Sequence, residues 1–384
     1  MRRSPLLPIF LIVSVDVLGL TIILPLLPFY AERMGATPAV VGLLVASYAA
    51  CQLIAGPILG RMSDSMGRRP LLIVSQIGTL IGFLILAWAN SLWLVFVSRI
   101  IDGLTAGNLS LAQAYISDVT RPEERARSFG IIGIAFGMGF LIGPAISGVL
   151  AKYSYQYPIF AAAALSAISI LCTALLLPAS PPQMDATVPR RFTLLDWGHY
   201  LGYFRRPELA RCLWQFLAFA LAFAMFISGF ALFAERRFTW NGRPFGVTEV
   251  GYVYAYLGFL GIILQGGLIG RLVKWMGEER LVRVSFGAAA IGLAALGFTY
   301  GIPALLAVSA LASLGTGGVR PALTSLITQR AGRSEQGTVL GLTQSLTSVA
   351  QIVGPAVAGL LIGHQLLWAW AMLAGLICAV AVVL

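Results

Sequence analysis

The chain has 384 residues, of which 58% are hydrophobic and only 11% charged, and its mean hydropathy is +0.87. A soluble domain carries roughly 25% charged residues, so the composition excludes a soluble enzyme, a disordered chain and a disulfide scaffold, and leaves a polytopic membrane protein. The net charge of +11, from 26 Lys and Arg against 15 Asp and Glu, would suggest nucleic acid in a soluble protein, but here it points to loops on one face of a bilayer.

A bilayer-crossing helix takes about 20 apolar residues. Twelve apolar segments stand at 6–29, 39–60, 71–89, 92–114, 128–150, 157–177, 210–234, 247–270, 281–299, 303–327, 337–361 and 366–384. The first follows Arg2 and Arg3 and holds Asp16, with Pro25 and Pro28 near its end. It reads as a retained first spanning helix and not as a cleaved signal. The four cysteines, Cys51, Cys172, Cys212 and Cys378, all fall in apolar segments, without disulfide or metal-ligand spacing.

With the N-terminus inside, 19 of the 26 Lys and Arg fall in inside loops and five outside, while Arg99 and Arg320 lie within helices. Positive loops stay inside, so both termini are expected on the cytoplasmic face.

Asp16 sits in the middle of the first helix. A charge there costs about 2.5–3.5 kcal/mol on insertion scales, which makes an intramembrane acid a functional candidate. Burial favours the neutral acid and a nearby cation favours the carboxylate, so Asp16 is placed to load and release a proton. On helix two, Tyr48 and Gln52 share a face at i, i+4. The loop that follows reads Gly60-Arg61-Met62-Ser63-Asp64-Ser65-Met66-Gly67-Arg68-Arg69-Pro70. It is rich in turn-forming glycine and in cytoplasmic arginine.

Helix four carries Arg99 and Asp102, three apart and able to pair, with Asn108 and Gln113 further along. The expectation is that protonation of Asp16 or Asp102 releases a contact with Arg99. A static pair that only neutralises buried charge is the alternative. Asp118 and the run Arg121-Pro122-Glu123-Glu124-Arg125 read as a solvated loop with helix capping. Helix five places Gly133, Gly137, Gly139, Gly143, Pro144 and Gly148 along one face, where small residues permit close helix packing.

The longest hydrophilic stretch, 178–209, is a cytoplasmic linker that divides the chain into bundles at 1–177 and 210–384. Helix seven carries a stripe of six phenylalanines that includes Phe223 and Phe226. It reads as packing or as the aromatic wall of a cavity. Gln265 on helix eight, and Gln344 and Gln351 with Thr347 and Ser348 on helix eleven, are further cavity candidates. Arg320 follows Gly315, Gly317 and Gly318 and precedes Pro321, which reads as an irregular spot. It is either an anion-binding cation or one held by backbone carbonyls.

The halves repeat. Gly60-Arg61 recurs as Gly270-Arg271 at an offset of 210, and Gly143-Pro144-Ala145 recurs as Gly354-Pro355-Ala356 at 211. Two parallel six-helix repeats are a transporter architecture. The expected fold is therefore all-α, with twelve transmembrane helices in two pseudo-symmetric six-helix bundles.

The loop at 60–70 resembles the G-x-L-x-D-r-x-G-r-r signature of the major facilitator superfamily, with Met62 at the usual Leu. That resemblance implies a gating role for Gly60, Asp64, Gly67, Arg68 and Arg69. The second-half copy, Gly270-Arg271 to Gly277, lacks the Asp. The run in helix five resembles the signature of the drug:proton antiporter branch, and Arg99 to Gly103 resembles that branch's R-x3-G motif. Over its whole length the chain is similar to the tetracycline-resistance branch. Where those pumps carry an acid in helix three, a His in helix eight and an acid in helix nine, this chain has Gly82, Gly261 and Ala289, so a chelated tetracycline site is not expected.

The resemblance implies a proton-coupled exporter of small amphipathic or lipophilic molecules, working by alternating access in a bacterial inner membrane. It is driven by the proton gradient and needs no cofactor, metal or nucleic acid, and a monomer is expected. A symporter or facilitator for a sugar or another metabolite, and a non-transporting receptor or assembly factor, are the competing readings. His199 and His364 stand alone, and no nucleophile–base or phosphate-binding motif points to an enzyme.

Overall fold

The computed structural model describes residues 6–119, 125–178, 202–331 and 335–384. Arg2, Arg3, the run Arg121 to Glu124, His199 and most of the 178–209 linker lie outside the described residues, as do Asp64 and Gly133 beyond the helical course of their backbone.

The described chain is almost wholly helical, because a spanning segment in lipid must satisfy its backbone hydrogen bonds internally. In chain order come α1 (Leu6–Glu32), α2 (Pro38–Met66), α3 (Arg68–Ala87), α4 (Leu92–Leu104), α5 (Asn108–Val119), α6 (Arg125–Leu150) and α7 (Gln156–Leu176). Then follow α8 (Pro207–Arg237), the strands β1 (Thr239–Trp240) and β2 (Arg243–Pro244), and α9 (Val247–Ile263). A π-helical turn (Leu264–Leu268) joins α9 to α10 (Ile269–Met276), and α11 (Glu278–Leu296), α12 (Ile302–Arg330), α13 (Gln336–Gly363) and α14 (Leu367–Val383) complete the chain.

Taking α4 with α5 and α9 with α10, these helices follow the twelve apolar segments read from the sequence. Among the described residues nine helical stretches are long and apolar enough to cross a membrane, and two shorter apolar helices run over Ile134–Leu150 and Leu367–Val383.

Three features differ from the sequence reading. The stretch 92–114, read as one helix, breaks between α4 and α5. The expected irregularity at Arg320 is absent, since α12 runs unbroken through Pro321. The break in the second half falls instead in the eighth span, as the π turn. The β-hairpin was also unforeseen. Asn241 and Gly242 both take positive φ, 50° and 74°, as an Asn-Gly hairpin turn requires.

Packing sorts the described elements into two units. The first holds α1, most of α2, α3 to α7 and the first turns of α9 (Val247–Ala255). The second holds the first turns of α2 (Thr37–Ala46), α8, the rest of α9 and α10 to α14.

Glycine sets helix approach in both units. In the first, Thr21 Oγ1 donates across to Gly139 O at 2.8 Å, and a Cβ on Gly143 would overlap the Thr21 side chain. A Cβ on Gly148 would lie 3.0 Å from Thr248 O, and Thr248 Oγ1 donates to Gly148 O at 2.7 Å. A Cβ on Gly251 would run into Pro144 O. The helix-five glycines thus serve two neighbours, α1 and α9, while Gly137 is half-buried.

The second unit repeats this scheme. Gly354 packs on Ala224 and Met225 of α8, and Gly42 of α2 packs against Pro355 O of α13. Trp370 Nε1 donates to Met225 O at 3.1 Å and closes the α8–α14 seam.

Gly143→Ala should therefore destabilise the protein by about 1–3 kcal/mol, the usual cost of overpacking. Adding Thr21→Ala should recover part of that loss. Thermal unfolding in detergent checks this, and two independent losses would rule out the contact as the cause.

Candidate functional site

The helical spacing of Arg99 and Asp102 puts both on one face of α4. Arg99 Nη1 meets Asp102 Oδ2 at 3.3 Å, and each residue is 4% exposed. Gly82 of α3 makes room for the pair: a Cβ there would lie 3.0 Å from Asp102 Cβ. Thr79 hydrogen-bonds the Asp102 carboxylate. The Arg99 guanidinium carbon lies 5.9 Å from the Phe83 ring centroid. Its second terminal nitrogen, Nη2, has no hydrogen-bond partner among the described residues.

The helix breaks directly below this pair, at Thr105-Ala106-Gly107. Ser75 of α3 bridges the break, donating to Thr105 O and accepting from Gly107 N at 2.9 Å. One hydroxyl thereby replaces part of the lost helical ladder. Irregular backbone at membrane depth survives only where protein or water satisfies it, and broken helices mark transporter sites. Asn108 opens α5 with its Oδ1 buried and without a hydrogen-bond partner among the described residues.

Asp16 enters from α1 and is half-buried. Ser169 of α7 and Gln76 of α3 lie beside its carboxylate, and it lies near enough to Asp102 to feel that charge. Gln76 Nε2 also donates to Ser169 Oγ at 2.8 Å. Tyr48 of α2 feels the charges of Asp102, Arg99 and Asp16 together, and Gln52 Nε2 reaches its hydroxyl at 3.4 Å. Gln113 is half-buried and makes no hydrogen bond among the described residues.

Asp16, Arg99, Asp102, Tyr48 and Gln52 thus belong to one neighbourhood of the first unit. The sequence reading missed Gln76, Thr79 and Ser169. Their signal was visible as polar residues inside otherwise apolar helices.

The gate-motif loop is tighter than its sequence suggests. α2 runs through Met66 and α3 begins at Arg68, so Gly67 alone makes the turn. Its φ of 91° and ψ of 151° fall in a region essentially reserved for glycine. Arg68 is buried. Its Nε donates to Asp118 Oδ2 at 2.9 Å, and its Nη1 donates to Gly60 O at 3.3 Å and to Ser63 Oγ at 2.5 Å. Arg69 donates to Ala174 O of α7. Asp118, read as a solvated loop residue, is instead the anionic end of a largely buried pair that ties the start of α3 to the end of α5.

The second unit keeps this device with other groups. Gly277 caps α11 with φ 76°, and Glu278 accepts from Ser325 Oγ at 2.7 Å and from Gln329 Nε2 at 3.0 Å.

The helix-seven stripe packs within the second unit, the first of its two readings, and not as a cavity wall. Phe226 is 6% exposed and packs on Phe230 at 5.3 Å between centroids. Phe223 is half-buried and stacks on Phe219 at 5.8 Å. Gln344 and Gln265 are exposed and Gln351 is half-buried. Arg320 is exposed.

Replacing Arg99 with Gln leaves Asp102 buried without its cation and should cost about 3–5 kcal/mol. Adding Asp102→Asn should recover more than half of that. Thermal unfolding in detergent measures both, and a double variant no more stable than R99Q would count against the pair.

The family model of the Major Facilitator Superfamily matches residues 9–302 and 268–384. The tetracycline resistance protein, class H, of Pasteurella multocida is 32% identical over 354 residues, covering 90% of this chain and 86% of that protein. Multidrug resistance protein 2 of Bacillus subtilis (strain 168) is 27% identical over 91% of this chain and 86% of its own length. Among solved structures, the human organic anion transporter MFSD10 (TETRAN) aligns with a TM-score of 0.75 at 22% identity, over 98% of this chain and 97% of that one. The nucleoside transporter NupG aligns at 0.77 and 14% identity, over 99% and 98%. The structural likenesses speak for the fold; the family match and the sequence identity speak for descent. The chain is an integral membrane protein and belongs to the Major Facilitator Superfamily.

Proposed function

We propose that this chain is a proton-coupled exporter of small amphipathic or lipophilic molecules, working by alternating access in a bacterial inner membrane with both termini inside. The observation that carries the reading is the charge count of the buried cluster. Two carboxylates, Asp16 and Asp102, stand in one neighbourhood with one guanidinium, Arg99, which pairs with Asp102. With both acids ionised the cluster bears one net negative charge at membrane depth; with one proton it is neutral. Low dielectric makes that difference large, and the two acids titrate as a coupled pair.

The groups divide the work by position. Asp102 is nearly inaccessible and already paired, while Asp16 is more exposed and held by neutral partners. Asp16 is therefore the entry point for the proton. Arg99 offers a free edge at Nη2, which a newly ionised Asp16 can take up. Losing a proton from Asp16 creates an attraction for Arg99 that competes with Asp102, and loading the proton removes it. The broken fourth span lets α4 shift against α5 as that contact changes, with Ser75 as the pivot.

The names of the sequence relatives, tetracycline resistance and multidrug resistance proteins, support drug-like cargo and the outward direction. The packing argues against a chelated tetracycline site. Gly82 is filled against Asp102, and Ala289 is 0% exposed with Gly315 pressed on it. Neither position has room for an acid.

Asp16→Asn should fold normally yet lose proton-driven transport by at least about a hundredfold, the scale of losing a positioned proton carrier. Everted vesicles, read by the proton flux that substrate addition triggers, measure it; full coupling in D16N would sink the proposal. Expression of the wild type in a susceptible host should leave tetracycline resistance unchanged while raising tolerance to lipophilic drugs. A clear rise in tetracycline resistance would refute the substrate argument.

A further inference from the structure

We propose that Arg320 is the docking point for a negatively charged group on the cargo, so that the preferred substrate is an amphipathic anion: an apolar body bearing a carboxylate, sulfonate or phosphate. This deepens the export reading above and rests on it.

α12 runs Ile302–Arg330 over 29 residues, and Arg320 lies ten residues before its end, about 15 Å at the helical rise. That is within the hydrocarbon depth of the bilayer. A cation there costs about 2.5–3.5 kcal/mol even on lenient scales, and such residues normally pair with one another or with backbone carbonyls. Arg320 makes no ion pair and no side-chain hydrogen bond among the described residues. Its own carbonyl accepts from Thr324 Oγ1 at 2.8 Å, so the helix around it is intact and the side chain is left over.

The direction of the side chain follows from the wheel. The exposed apolar side of α12 carries Ala307, Leu311 and Leu314. At about 100° per residue, Arg320 lies about 180° from Leu311 and about 120° from Leu314. Its own face mixes Ser309, Ser313, Thr316, Gly317 and Thr324 with Leu306, Leu323 and Ile327. Arg320 therefore leaves the helix away from its exposed apolar side.

A second observation falls on the same face. Gly317, one turn before Arg320, packs under Leu264, the first residue of the π turn; a Cβ there would lie 3.1 Å from Leu264 Cδ2. The π turn exposes Gln265, Gly266 and Gly267, and π-bulges concentrate at functional sites. Gln265 lies 18 residues into its span and Arg320 lies 18 into α12, and the two spans run in the same direction, so they stand at matching depth. A guanidinium and a carboxamide beside the π turn form a donor set for an oxyanion. The planar fork of Arg suits a carboxylate or phosphate better than a point charge would.

The repeat sharpens the point. At the offset of 210, Arg320 corresponds to Ser110. The first unit holds its charge on α4 in a closed pair, while the second presents an open cation further along the equivalent span. Proton handling and cargo recognition are thus assigned to different halves.

The test uses a matched series with one apolar body: 1-pyrenebutyrate, 1-pyrenebutyramide and 1-pyrenebutylamine. Binding to the purified full chain in nanodiscs is measured by energy transfer from tryptophan to pyrene, against empty nanodiscs. The wild type should bind the carboxylate at least about tenfold more tightly than the amide. Arg320→Gln should bring the two to parity with amide binding unchanged, and Arg320→Lys should keep part of the preference. A wild type without carboxylate preference, or an R320Q chain that keeps it, overturns the proposal. The same probes in proteoliposomes under a pH gradient separate this from the export reading. Carboxylate preference without gradient-driven movement of any probe fails export alone. Movement of the amide and amine without carboxylate preference fails the role of Arg320 alone.

Discussion

Hydrocarbon supplies no hydrogen bonds, so each polar group at bilayer depth must be answered within the protein or by what the protein carries. The ion pair of Arg99 and Asp102 is the first consequence. It is affordable only because Gly82 lets α3 close over it and because Thr79 supplies a further bond. The break after α4 is the second. Its backbone groups are met by a short local bond from Gly107 N to Thr105 O and by the hydroxyl of Ser75. Groups left unanswered among the described residues, such as Arg99 Nη2 and Asn108 Oδ1, are where movement or a ligand has something to gain.

Duplication separates what packing demands from what chemistry demands. Gly82 against Asp102 becomes Gly292 against Ala312, and Arg99 becomes Ser309, at the same offset of 210. The close approach of the two helices persists while the charges do not. The bundle needs the glycine in both halves; only one half needs the pair. The polar tie between the start of the third span and the end of the fourth also persists, as Arg68 with Asp118 and as Glu278 with Ser325 and Gln329. There the sign of the charge has reversed while the linkage is kept, which marks it as structural in both halves.

The helix-five glycines show how one motif serves several ends. Gly139 and Gly143 admit α1, while Pro144 and Gly148 receive the first turns of α9. A smooth face on one helix thereby reaches two partners, and its counterpart in α13 receives α8 and the first turns of α2. Such a surface tolerates sliding better than interlocked side chains do, because few rotamers block it.

How much of this was legible without coordinates follows from the range of each interaction. Hydropathy is local, so composition and a count of apolar residues placed the twelve spans. Charge in loops is likewise local and suggested an orientation. The i, i+3 spacing foretold that Arg99 meets Asp102, and an acid in an apolar run singled out Asp16. What tertiary structure decided was which neighbours these residues meet. Gln76, Thr79 and Ser169 come from helices distant in sequence, and no spacing rule joins them. The break at Thr105–Gly107 and the π turn at Leu264–Leu268 were hidden because membrane helices tolerate glycine and proline, so those residues no longer announce an ending. The phenylalanine stripe and Arg320 make the same lesson from opposite sides: periodicity shows that residues share a face, and only packing shows whether that face is closed, as at Phe226, or open, as at Arg320.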